Sequence, residues 1–185
     1  MVKIINVEKL YFANPDTLRD LFIGLIAGLG YLLLISLAPL FAIGIPSIQA
    51  SAGEMWRTVV IGAPLAEELM WSIVLPWVLL FGIPMLLSFT NIKFFKSISE
   101  NKILWIVIAF AVLMASFSIF HATAYAGSLD AQAIKQTSGL FIGAMFFRFL
   151  AFGLLLFTQN FWTNVIFHGI VNFGISTSQS VVVLS

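Results

Sequence analysis

Residues 58–89 run apolar for 32 positions, interrupted chiefly by Pro64, Pro76 and Pro84 and by two adjacent carboxylates, Glu67 and Glu68. As one straight helix the run would measure about 48 Å, whereas a bilayer core is about 30 Å thick. The segment must therefore tilt, kink or break. Its prolines free backbone carbonyls that a neighbouring helix or a wet cavity has to satisfy. A charge at bilayer depth costs at least about 2.5 kcal/mol, so an acidic pair inside such a run marks a functional site.

The rest of the chain fits the same environment. It is 61% hydrophobic and only 9% charged over 185 residues, against roughly 25% charged for a soluble domain. A formal net charge of +1 and no basic stripe exclude nucleic acid as a partner. With no cysteine, disulfides, thiolate catalysis and Fe–S ligation are excluded as well. Thirteen glycines and 15% aromatics suit packed membrane helices, and no alternating strand pattern points to a barrel. The expected fold is all-α: a polytopic membrane bundle of about five transmembrane helices.

In chain order, residues 1–17 form an N-terminal segment without the pattern of a cleavable signal peptide. Asn14, Pro15 and Asp16 predict a helix start, and the first span follows from about Leu18 to Ile45. Gly24 and Gly28 within it have GxxxG spacing, a packing feature. Pro46 to Arg57 reads as a polar connection, so residues 18–57 comprise one helix and its loop. The core is expected at 58–175: the long proline-containing run, a polar loop from Asn91 to Lys102, and a span from about Ile103 to Ala126. Gly127 to Ser138 is again polar, with further spans at about Gly139 to Phe157 and Phe161 to Ile175. Residues 176–185 form a tail of undecided structure. Lys3, Lys9, Arg19, Lys93, Lys96 and Lys102 fall on one side of this arrangement, against Arg57 and Lys135 on the other. The positive-inside rule then predicts a multi-pass protein of the cell membrane with a cytoplasmic N-terminus.

Few ionisable residues lie within the spans: Glu67, Glu68, His121, Arg148 and His168, the two histidines being the only ones in the chain. Each has a structural reading when taken singly, as interfacial acid, interhelical hydrogen bond or counter-ion. Together they supply acids, imidazoles and an amide from separate helices. Phe117 shares a helical face with His121, and His168 shares one with Asn172, each pair being four residues apart. Glu67 and Glu68 point about 100° apart and must have different jobs. At about 1.5 Å per residue, Glu67 and Asn172 come out near mid-membrane and His121 nearer the outer face.

The stretch Glu67-Glu68-Leu69-Met70-Trp71-Ser72 resembles an EExxxR motif, Phe117 to His121 an FxxxH motif, and His168 to Asn172 an HxxxN motif. This ordered set, over roughly Thr58 to Ile175, is similar to that of the CPBP family of CAAX-protease and bacteriocin-processing (Abi) intramembrane peptidases. The resemblance implies a membrane-embedded glutamate peptidase in a short form, acting on a peptide or membrane-protein substrate within the lipid bilayer. By the same resemblance Glu67 and His121 activate water, His168 and Asn172 bind the oxyanion, Glu68 supports the site and Phe117 packs the His121 helix. The family's motif arginine is replaced by Ser72, which cannot pair with a carboxylate charge. Arg148, about 14 Å from either end of its span and too deep to snorkel, is expected to pair with Glu68 in its place; bonding to helix carbonyls or to a wet cavity is the alternative.

No cofactor is expected. Glu67, His121 and His168 would be the ligands if zinc were bound, since two histidines and a carboxylate make a catalytic zinc set. The other readings are a non-catalytic adaptor or immunity-type protein of the same fold and a proton-coupled transporter, whose usual internal symmetry is absent. The sequence selects neither the substrate, prenylated or not, nor the oligomeric state.

Overall fold

The structure, a computed structural model, describes residues 16–37, 55–90, 92–126 and 131–182. All elements among them are helices. Helix α1 is Thr17–Ser36, α2 occupies residues 55–88, α3 is Lys93–Ser99, α4 Lys102–Ala126, α5 Ala131–Thr158 and α6 Phe161–Val182. Four helical stretches among the described residues are long and apolar enough to cross a membrane: Thr17–Ser36, Thr58–Ser88, Lys102–His121 and Phe141–Thr158. The protein is a helical membrane bundle. The fifth expected span, α6, is 22 residues long, but it carries the polar residues of the site and does not join those four.

Helix α2 neither breaks nor runs as a regular α-helix. Its turns widen to π geometry at Met55–Gly62, Leu69–Val74 and Val78–Gly82, and return to α geometry at Ala63–Glu68, Leu75–Trp77 and Ile83–Ser88. Pro64, Pro76 and Pro84 are each the second residue of one of these α segments. A proline ring clashes with the carbonyl four residues back and offers that turn no N–H; a π turn moves the carbonyl away. In an i→i−5 register the carbonyl of Val59 would take the N–H of residue 64, which is a proline. The Asn172 side chain supplies the donor instead, its Nδ2 lying 3.0 Å from Val59 O. The expected freed carbonyl is thus satisfied from a neighbouring helix. A Cβ added at Gly169 would lie 2.7 Å from Val60 O, so glycine is what lets α6 approach this stretch.

Helix α1 closes on α6 through the GxxxG pair. A Cβ at Gly24 would collide with the carbonyl of Thr163, and one at Gly28 would lie 2.9 Å from Ile170 Cβ and 3.2 Å from Phe167 O. An aromatic core fills the centre, where Phe147 stacks on Phe167 at 4.9 Å and on Phe117 at 5.7 Å. Leu79, Ala109, Leu113, Phe152 and Leu155 pack the second cluster, between α2, α4 and α5.

Several boundaries differ from expectation. Helix α1 begins at Thr17 with Asp16 before it, and makes no side-chain cap bond. Asn14, Pro15 and residues 38–54, including most of the expected 46–57 connection, lie outside the described residues. The polar 91–102 stretch holds the short helix α3, where Phe94 is exposed beside Lys93 and Lys96. Helix α5 starts already at Ala131, and α6 runs past Ile175 to Val182, into the tail.

Candidate active site

Glu67 and Glu68 lie at the end of the short α segment between two π stretches of α2, and their 100° offset sends them to different neighbours. Glu68 is completely buried. Arg148 Nη1, from α5, donates to its Oε1 at 3.2 Å and its Oε2 at 3.0 Å. The same guanidinium donates from Nη2 to Ser72 Oγ at 2.9 Å and to the carbonyl of Trp71. Arg148 thus meets Glu68 as expected, and bonds a helix carbonyl, the alternative, as well. The Ser72 hydroxyl donates to Glu68 Oε2, and His168 Nδ1 lies 3.0 Å from Glu68 Oε1.

Glu67 is partly accessible, at 27% exposure, and faces the two histidines. Its Oε2 is 3.3 Å from His121 Nε2 and 3.8 Å from His168 Nε2. The gap in depth expected for His121 is closed.

Both imidazoles are oriented from behind. His121 Nδ1 is 2.9 Å from the Phe117 carbonyl; a carbonyl only accepts, so Nδ1 donates. His168 Nδ1 faces a carboxylate that Arg148 compensates, and donates to it. In the neutral form each histidine therefore turns a bare Nε2 toward Glu67 Oε2. That oxygen is buried and finds no donor among the described residues. Three acceptors thus converge on one point, which a proton or a water molecule can bridge. Phe117 packs its ring against His121, centroids 4.0 Å apart, and lies 5.7 Å below the Arg148 guanidinium carbon. Among the described residues no group of three His, Cys, Asp or Glu side chains has the arrangement of a metal-ion site.

The predicted residues Glu67, Glu68, His121, Arg148, His168 and Phe117 are thus brought together. Asn172 stands one turn further along α6, with its amide on Val59 O. The sequence reading missed Asn164, which is buried and donates to Ser72 Oγ at 2.9 Å. It also missed a second buried acid. Asp20 of α1 accepts from Arg19 Nη2 at 2.9 Å and from Asn160 Nδ2 at 3.3 Å. The signal was present in the spacing: Asn164, His168 and Asn172 recur every four residues along one face of α6, and Asn160 stands four residues before them, just ahead of the helix.

The family model described as type II CAAX prenyl endopeptidase Rce1-like matches residues 50–174. The chain belongs to that family. It is therefore a membrane peptidase, a hydrolase of the CAAX-protease type that acts on peptide or protein substrates in the membrane. No curated protein and no solved structure matches it. The Rce1-like match spans α2 to α6 up to residue 174 and leaves α1 outside, so the site described above lies wholly within the matched region.

Proposed function

We propose that this Rce1-like chain is a multi-pass endopeptidase of the cell membrane, with a cytoplasmic N-terminus, that hydrolyses a peptide bond by activating water without a metal. The observation that carries the reading is the meeting of Glu67 Oε2 with the Nε2 atoms of His121 and His168, at 3.3 and 3.8 Å. Water held there donates one hydrogen to Glu67 and the other to His121 Nε2. Its oxygen attacks the scissile carbonyl as Glu67 takes the first proton. His168 accepts that proton on Nε2 and becomes an imidazolium with Nδ1–H on Glu68. It then donates Nε2–H to the oxyanion and passes the proton to the departing amine nitrogen as the C–N bond breaks.

Asn172 enters this scheme differently from the oxyanion donor its motif implies. Its amide contact with Val59 O supports a clamp that holds the His168 face of α6 against α2. Arg148 occupies the space beside Glu68 that the missing motif arginine would leave unfilled, which favours the peptidase over the adaptor reading.

The family description makes a prenylated CAAX peptide the first substrate to test. The full chain, reconstituted in vesicles, is incubated with such a peptide and the products are identified by mass spectrometry. Release of a C-terminal fragment that persists after treatment with a strong chelator is the expected result. No fragment above the vesicle background would overturn the substrate class, and loss of activity restored by zinc would overturn the metal-free mechanism.

A further inference from the structure

Ser72 does more than leave out an arginine. A hydroxyl has one hydrogen and two lone pairs, and all three are used here. It donates to Glu68 Oε2 and accepts from Arg148 Nη2 at 2.9 Å and from Asn164 Nδ2 at 2.9 Å. Asn164 Nδ2 also lies 3.5 Å from Glu68 Oε2. Three helices thus build one closed seat: Glu68 and Ser72 from α2, Arg148 from α5, and Asn164 from α6, every one of them fully buried. Ser72 stands four residues after Glu68, so a long cation there would lie over the same helical face that Arg148 now covers from α5. The serine leaves room for the guanidinium and joins its fork to Asn164.

The seat leaves Glu68 one direction in which to act. Arg148 and Ser72 fix both carboxylate oxygens, and Oε1 remains turned to His168 Nδ1 at 3.0 Å. A compensated carboxylate can only accept, so it dictates which ring nitrogen carries the hydrogen. His168 Nε2 is then left bare and aimed at Glu67.

We propose that Arg148 and Asn164, from two other helices, and Ser72, at the motif position itself, are positioning residues that replace the motif arginine and hold Glu68 so that His168 keeps its hydrogen on Nδ1 and presents Nε2 to Glu67. The inference deepens the peptidase reading, but its primary readout needs no turnover. The cation can enter the seat from either helix, and moving it back to position 72 restores the same tautomer.

The test uses the full chain in lipid nanodiscs with 15N-labelled histidine. Only two histidines contribute signals, and a His121→Gln variant assigns them. Two-bond couplings to the ring protons identify which nitrogen is bare. Wild type is expected to show bare Nε2 at His168. Arg148→Met is expected to lose that signal, and Arg148→Met with Ser72→Arg to regain it. On a cleaved peptide, kcat of Arg148→Met is expected to fall by about 100-fold or more with little change in KM, since loss of the carboxylate that fixes a catalytic histidine's tautomer costs up to about 10⁴. The double variant is expected to recover to within about tenfold of wild type.

Wild-type His168 with its hydrogen on Nε2 would overturn the proposal outright. A folded Arg148→Met with an unchanged tautomer would do the same, as would a folded double variant that does not regain bare Nε2. Where Arg148→Met does not fold, the wild-type spectrum and the double variant decide. The expected tautomers in a chain that cleaves no peptide would sustain the seat and sink the peptidase reading instead.

Discussion

Replacing Arg148 by methionine keeps the length of the side chain and removes its charge. The magnitude follows from what is left behind. Glu68 loses both hydrogen bonds from Nη1, and Ser72 Oγ and the Trp71 carbonyl each lose a donor, all in a site where Arg148 and Glu68 have no exposed surface. Breaking one side of a buried ion pair costs about 3–5 kcal/mol, because the other charge stays behind uncompensated. A proton bound by Glu68 limits that cost. From an ordinary glutamate value near 4.3, uptake at pH 7 costs about 3.7 kcal/mol, at about 1.36 kcal/mol per pH unit. The predicted loss is therefore about 3–4 kcal/mol at pH 7, shrinking as the pH is lowered toward 5. Removing both charges, with Arg148→Met and Glu68→Gln together, is expected to cost less than the sum of the two single changes by at least about 1 kcal/mol. Unfolding of the detergent-solubilised chain, followed by fluorescence of its five tryptophans, measures both quantities. An Arg148→Met variant within about 1 kcal/mol of wild type, or strictly additive single and double variants, would refute a compensated buried pair.

Other consequences can be measured in the same preparations. His121→Phe keeps an aromatic ring beside Phe117 but removes the Nε2 that faces Glu67; rates on a cleaved peptide are expected to drop by about 10² to 10⁴ with the fold retained. Asn172→Leu leaves the Val59 carbonyl without its donor and is expected to cost about 1–3 kcal/mol of stability, measured by the same unfolding assay. Gly24→Val puts a branched side chain against the Thr163 carbonyl at the α1–α6 crossing. It is expected to destabilise the bundle by about 1–3 kcal/mol, the usual range for overpacking, with the larger effect on unfolding of α1.

Charges in apolar segments were the legible part of this chain, because their cost limits what they can be doing. Glu67, Glu68, Arg148 and the two histidines declared themselves by residue type and depth. Arg148 declared that it needs a partner, since a cation that deep must have one, but not which; Glu68 and the Trp71 carbonyl both serve. Residues whose polarity carries no such cost were harder to read. Asn164 looks like any amide on a helix, and its role depends on Ser72 and Arg148 arriving from two other helices. Asp20 reads as first-turn acid on α1, and only its contact with Asn160 at the start of α6 shows why it is buried. The π turns of α2 were foreshadowed by its prolines, but whether a proline kinks, breaks or widens a helix is decided by what packs against it. At Val59 that was Asn172. Depth estimates drawn from an α-helical rise placed His121 too far from Glu67, whose carboxylate lies 3.3 Å from its imidazole.

The central claim is that Glu67 is the base that activates water. Its most direct test compares wild type with Glu67→Gln on the same prenylated CAAX peptide in reconstituted vesicles, with folding of both verified by tryptophan fluorescence. Glutamine keeps the shape of the side chain and removes the basic carboxylate, so a rate lower by about 10² to 10⁴ is predicted. A folded Glu67→Gln protein that cleaves the peptide at the wild-type rate would contradict the account.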